Sequence, residues 1–247
     1  MQRYTGNYRF AGRTVRIYSL HRYVQKLCRD YAAEGTPDFT VSTDSEDILR
    51  ERRALIESGL DEQEVADASD GAVEVTAVYR KIAEQLLEYD TILFHGSCIA
   101  IDGEGYLFTA ASGTGKSTHT RLLREYLGER AFMVNDDKPL LQIDHDQVIA
   151  YGTPWDGKHR LSRNTSVPLK AVILLSRSEK NYIAEISSQE AWPMLIQQSY
   201  TPTQDVKMVH VLKLLNKMQN SVRLYRLECN MEPDAARVSY EGLKGLK

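Results

Sequence analysis

Tyr106-Leu107-Phe108-Thr109-Ala110-Ala111-Ser112-Gly113-Thr114-Gly115-Lys116-Ser117-Thr118 is the stretch on which the fold of this chain turns. A β-like apolar run ends in a Gly-rich turn, Lys-Ser-Thr follows, and then Leu122, Leu123, Tyr126 and Leu127 mark one face of a helix. Strand, loop and helix in that order make a phosphate-binding loop. Glycines let the chain curl so that backbone N–H groups converge, and the start of the following helix adds partial positive charge, so a polyphosphate is held with little help from side chains. Ser112, Gly113, Thr114, Gly115, Lys116, Ser117 and Thr118 are therefore the expected nucleotide contacts. Lys116 is placed to reach the β and γ phosphates, and the Ser117 hydroxyl to bind Mg²⁺. The pattern departs from G-x-x-x-x-G-K-[ST] at its first position, where Ala110 stands for glycine.

Downstream, Ala131-Phe132-Met133-Val134 forms an apolar run that ends in Asn135-Asp136-Asp137. A carboxylate at a strand end beside a phosphate loop can hold Mg²⁺, and a second can accept a hydroxyl proton. Adjacent strand residues face opposite ways, so two acids suit two roles. Upstream, His95-Gly96-Ser97 separates two β runs; taken alone, such a histidine reads as structural.

Around this centre the pattern predicts an α/β core with a mixed sheet. Runs at 91–94, 97–101, 106–110, 131–134, 140–143, 148–151 and 169–175 read as strands. The C-terminal third adds a strand at 182–186, helices at 189–198 and 206–218, a strand at 222–227 and a short final helix. Residues 1–70 read as a small α+β portion, with a helix over 21–33 and a strand at 39–41, and residues 71–247 as the catalytic domain. Asp67-Ala68-Ser69-Asp70-Gly71 supplies the turn chemistry for that boundary. Val75, Val78, Tyr79, Ile82 and Leu86 recur at helical spacing and predict an amphipathic helix. Residues 44–90 hold fourteen acids against five bases, and the stretch from Ser45 to about Gly71 reads as one or two short exposed helices on a solvated linking face.

Composition limits the rest. With 247 residues, 42% hydrophobic and 26% charged, the chain is globular and long enough to bury a core without disulfides. Cys28, Cys98 and Cys229 are an odd number with no C-x-x-C pair, as expected of a reducing cytoplasm. A net charge of −3 argues against nucleic acid as a partner. No apolar stretch reaches the roughly 18 residues of a membrane span, and the N-terminus lacks the apolar run of a secretion signal.

Taken together, His95-Gly96, the Ser112–Ser117 loop and Asn135-Asp136-Asp137 resemble the catalytic domain of the HPr kinase/phosphorylase family, over roughly residues 90–175. The resemblance implies a P-loop-containing mixed sheet related to phosphoenolpyruvate carboxykinases and ATP-dependent phosphorylation of a serine hydroxyl, with ATP and Mg²⁺ as cofactors. It brings His95 into the active site, keeps Lys116 and Ser117 in their nucleotide and metal roles, and divides base and metal duties between Asp136 and Asp137; Ser117 and Asp137 are the metal pair carried forward. The Glu-x-Arg-Gly-x-Gly signature of the bifunctional enzymes has no match, so neither a phosphorylase reaction nor HPr as substrate is expected. In its place stands Gly152-Thr153-Pro154-Trp155-Asp156-Gly157-Lys158. That segment looks like the HPr-kinase-like proteins that modify ribosomally made peptides, among them lasso-peptide kinases that phosphorylate a precursor's C-terminal serine. Trp155, Asp156, Arg160 and Arg163 are then the expected substrate contacts, and a peptide or small protein with an acceptor serine the expected partner. A kinase of free serine or another metabolite, and a non-catalytic nucleotide sensor, are the competing readings. Both the oligomeric state and the division of labour between the two aspartates stay open.

Overall fold

The computed structural model describes residues 3–145 and 147–244, which divide into two compact units, Met1–Leu86 and Leu87–Lys247. The division therefore falls after residue 86 and not near residue 70, and buried charge explains the difference. In the first unit a hairpin of β1 (Tyr4–Phe10) and β2 (Arg13–Ser19) is joined in parallel by β3 (Phe39–Ser42). α1 (Tyr23–Cys28) is shorter than the helix expected over 21–33, because the chain tightens into a single 3₁₀ turn at Arg29–Tyr31. α2 (Ser45–Glu57), opened by a capping box between Asp44 and Asp47, and α3 (Glu62–Asp67) precede the long α4 (Asp70–Leu86).

α4 packs against α1, α2, β2 and β3, so the amphipathic helix belongs with the residues before it. Buried acids anchor it, and two of them, Asp47 and Glu51, belong to the stretch expected to form a solvated face. Glu74 is fully buried and accepts hydrogen bonds from Leu20 N (2.6 Å), His21 N (2.9 Å) and Thr43 Oγ1 (2.5 Å). Arg80 grips buried Glu51 through two 2.8 Å bonds, and Lys81 pairs with buried Asp47 at 2.6 Å. A buried carboxylate costs stability unless paired and hydrogen-bonded, and each of these is.

The second unit is built on a nine-stranded mixed sheet, the α/β core that the strand pattern predicts. Its strands are β4 (Thr91–Leu93), β5 (Ser97–Ile101), β6 (Glu104–Thr109), β7 (Ala131–Asn135), β8 (Leu140–Asp144), β9 (Gln147–Tyr151), β10 (Ser166–Arg177), β11 (Tyr182–Glu185) and β12 (Arg223–Cys229). Along the sheet the order is β4-β8-β9-β10-β6-β5-β7, with β12 also paired to β10 and β11 to β12. β10 is the pivot: Ser166–Pro168 pair antiparallel with β9, and the rest runs parallel to both β6 and β12. One side of the sheet is covered by α6 (Ser188–Gln198) and α7 (Asp205–Ser221), the other by α5 (Lys116–Leu127) and α8 (Asp234–Lys244). α5 thus begins at the phosphate loop and is fixed by burying Leu122, Leu123 and Leu127 on the sheet.

That helix also carries a buried histidine. His119 is 2% exposed, its ring centre stands 5.0 Å from that of Phe108, Nδ1 lies 3.8 Å from Cys229 Sγ, and Nε2 has no hydrogen-bond partner. Burial pushes its pKa down to about 4. The unfolded chain, with an ordinary imidazole, binds the proton first as pH falls, so acid must destabilise the fold through this residue. Stability is expected to drop by up to about 1.4 kcal/mol per pH unit between roughly pH 6.5 and pH 4. His119→Leu should flatten that slope, as read by urea unfolding across the range; an unchanged slope would show that His119 is not the group responsible.

Candidate active site

The phosphate loop leaves β6 after Thr109, and its curl depends on two backbone positions. Gly113 (φ +74°) and Gly115 (φ +121°) lie in the left-handed region, and a Cβ at either would meet no atom within 4 Å. Conformation, not crowding, demands glycine there, and the space beside the loop is open. Ala110 lies outside that region, which is why alanine serves where the usual pattern has glycine. Thr114 closes the turn by donating from N (3.3 Å) and Oγ1 (2.8 Å) to Ala111 O. Lys116, only 9% exposed, donates from Nζ to Ala110 O (3.0 Å) and Ala111 O (3.3 Å). Burial lowers its pKa, against the pull of Asp137 and Asp136.

The acidic pair stands across the cleft. β7 ends at Asn135, whose fully buried carboxamide accepts from Asp137 N (2.9 Å) and Lys138 N (2.6 Å) and donates to Thr153 O, Thr153 Oγ1 and Trp155 O. The chain has therefore turned at the aspartates. Asp136 is buried and accepts from the hydroxyls of Ser97 and Ser117; burial raises its pKa despite those bonds. Asp137 is one-third exposed, with Oδ1 3.5 Å from His95 Nε2 and Oδ2 3.6 Å from Lys138 Nζ. The Ser117 hydroxyl, expected to bind metal, thus donates to Asp136.

His95 bridges both sides. Its Nδ1 lies 2.6 Å from Gln198 Oε1 on α6, its backbone N donates to Gln198 O, and Nε2 faces Asp137. Burial and then Lys116 depress its pKa, with Asp137 and Gln198 opposing. The lowered pKa favours the neutral ring.

A cleft of about 520 Å³ joins these groups, lined by His95, Ser112, Gly113, Gly115–Thr118, Asp136, Asp137 and Asp156–His159. Of the expected contacts only Thr114 in the loop turns away from it. The downstream segment needs more correction. Trp155 is 5% exposed and packed into the fold, because its carbonyl is tied to Asn135. Asp156 reaches the cleft, but Oδ1 accepts from Asp136 N and Gly157 N and Oδ2 from Ser162 N, so it braces two loops. Arg160 and Arg163 do not line the cleft, and the Arg163 guanidinium lies 4.7 Å from the Phe132 ring centre. The basic side chains that do line it from this segment are Lys158 and His159. Ser97 could have been picked out as the neighbour of His95-Gly96; Gln198, 103 residues away, carried no sequence signal.

The donor set suits Mg²⁺ arriving with a polyphosphate. The described residues hold no group of three acidic, histidine or cysteine side chains able to cage a metal, and Mg²⁺ in such sites takes one or two protein ligands plus phosphate oxygens and water. Among the described residues no helix is long and apolar enough to cross a membrane.

No curated protein matches the chain significantly. Among solved structures, the HPr(Ser) kinase/phosphatase from Coxiella burnetii aligns over 62% of this chain and 97% of its own, at 12% identity and a TM-score of 0.36. A family model described as "SynChlorMet cassette protein ScmC" matches residues 62–232, which take in the phosphate loop, the acidic pair and the segment around Asp156. With well over half of its length inside that match, the chain belongs to the ScmC family of SynChlorMet cassette proteins.

Proposed function

We propose that this protein is an ATP- and Mg²⁺-dependent kinase that phosphorylates a serine hydroxyl of a peptide or small protein. The observation that carries the reading is the convergence of Lys116, Ser117, Asp136, Asp137 and His95 on one open cleft. Phosphoryl transfer asks an enzyme for placement and charge neutralisation, not covalent chemistry. The loop and Lys116 would hold the β and γ phosphates. Ser117, steadied by Asp136, would present its hydroxyl to Mg²⁺, which when bound offsets charge on the phosphate oxygens. Asp137, the more exposed acid, would take the proton from the incoming serine. His95, anchored by Gln198 at Nδ1, would wall the cleft beside that carboxylate.

On the acceptor side, the Lys158 ammonium and the His159 ring are exposed at the cleft. A C-terminal serine carries a carboxylate beside its hydroxyl, and Lys158 is the group to pair with it, in the role first expected of Arg160 and Arg163. The family's description names a cassette, so the acceptor is to be sought among that cassette's other products. Three free, buried cysteines and a need for ATP suit the cytoplasm.

Transfer from labelled ATP to candidate acceptors tests the reading. A peptide ending in serine is expected to be phosphorylated, and Lys116→Ala to lower the rate by roughly 10²–10³-fold with little change in melting temperature. Transfer to free serine alone would favour a metabolite kinase, and ATP binding without transfer a nucleotide sensor.

The two aspartates separate by metal dependence. Asp136→Asn should raise the Mg²⁺ concentration needed for half-maximal rate. Asp137→Asn should lower kcat by roughly 10²-fold or more with that requirement unchanged. Because burial raises the Asp136 pKa, it takes up a proton earlier than an ordinary carboxylate as pH falls. The Mg²⁺ requirement of the wild type should therefore climb on the acid side, and Asp136→Asn should remove that climb. Exchanged phenotypes would assign the base to Asp136.

A further inference from the structure

We propose that the nucleoside of the phosphate donor lies in a second cleft, bounded by the phosphate loop, the end of β10 and Met194 of α6. The inference rests on the donor reading above and adds where the rest of the donor goes. This second cleft, about 550 Å³, is lined by Ala111–Thr114, Leu175, Ser176, Arg177 and Met194, and shares Ser112 and Gly113 with the first.

Topology gives the direction. β6 and β10 are parallel neighbours, so the carboxyl end of β10, Leu175–Arg177, stands beside the loop that leaves β6. On the other flank of β6 come β5 and then β7, whose carboxyl end carries the aspartates. A phosphate chain whose reactive end faces Asp136, Asp137 and His95 must leave the loop on the β10 flank. Ligands of open α/β sheets sit at the carboxyl ends of parallel strands, as this cleft does.

Its chemistry suits a nucleoside. Leu175 and Met194 give an apolar wall, and methionine adapts to a flat ring. Arg177 donates to Thr114 O (3.1 Å) and Gly113 O (2.5 Å), which fixes its guanidinium at the junction of the two clefts, where such a plane can stack on a base. α6 borders both clefts from one face: Met194 lines the second, and Gln198, four residues on, holds His95 in the first. Among the described lining residues there is no Asn, Gln, Asp or Glu side chain to read the hydrogen-bonding edge of a base. Weak discrimination between purines follows, because strong base selection needs buried polar groups matched to the ligand.

Calorimetric titration of the full chain with MgATP and with Mg²⁺-inorganic tripolyphosphate tests the placement, using Ser176→Trp to fill the cleft and Met194→Glu to charge its apolar wall. Each variant is expected to weaken MgATP by about tenfold or more while tripolyphosphate stays within about twofold, which also shows the loop still folded. MgGTP should bind the wild type within about tenfold of MgATP. Equal effects on both ligands, or no effect on either, would place the nucleoside elsewhere and leave the donor reading standing. A preference above roughly a hundredfold for one purine would overturn the placement too, since this cleft has nothing to generate it. Wild-type protein that binds neither polyphosphate would remove the donor reading and this inference together.

Discussion

One buried carboxamide organises the reactive side of this protein. Asn135 closes β7 with no exposed surface, and its five hydrogen bonds join the aspartate turn to the segment that starts at Thr153. A buried amide left half satisfied costs more than its bonds return when complete, so the two segments are held together or not at all. The bonds to Asp137 N and Lys138 N turn the chain at the strand end and bring both acids toward the loop, where a continuing strand would have sent them to opposite faces. The bond to Trp155 O sets the tryptophan inward and delivers Asp156 to Asp136 N. From there Gly157, Lys158 and His159 follow along the cleft wall.

That constraint separates what the sequence revealed from what it hid. The phosphate loop was legible because every element of it is local: two glycines at positive φ, a lysine that folds back on its own turn, and a helix pinned by three leucines. The acidic pair was legible as a motif, but its division of labour was not, since that depends on Ser97 and Ser117 converging on Asp136 across three elements. Trp155, Arg160 and Arg163 lie off the cleft for a related reason. Side chains in a loop after a turn point wherever distant bonds send them, and here Asn135 and Asp156 spend those bonds on backbone groups. Gln198 and Arg177 act from 103 and 63 residues away, respectively, on partners no local pattern names.

The first unit shows the same limit in another form. The acidic stretch from Ser45 to about Gly71 reads as a solvated face because charge density is all a sequence window can count. The fold takes two of its acids inside, Glu51 with Arg80 and Asp47 with Lys81, and buries Glu74 of the next helix with backbone amides and Thr43. Arg80 and Lys81 both lie on α4, so the helix that looked like the start of the catalytic domain is committed to the unit before it.

Charge in the cleft bears on how a donor can be held. Asp136, Asp137 and Asp156 line it against Lys116 and Lys158, so carboxylates outnumber lysine ammonium groups by three to two, a negative sum. A triphosphate would be repelled by that sum at short range, where little water intervenes to screen it. What offsets it on the protein side is the backbone: the curl at Gly113 and Gly115 and the first turn of α5 place partial positive charge at the loop. Ser117 and Asp136 add a seat for a cation that travels with the phosphates. The acids are thus tolerable only if the donor brings its own counter-charge, and the geometry that makes bare polyphosphate unwelcome is the one that leaves Asp137 partly exposed at the cleft.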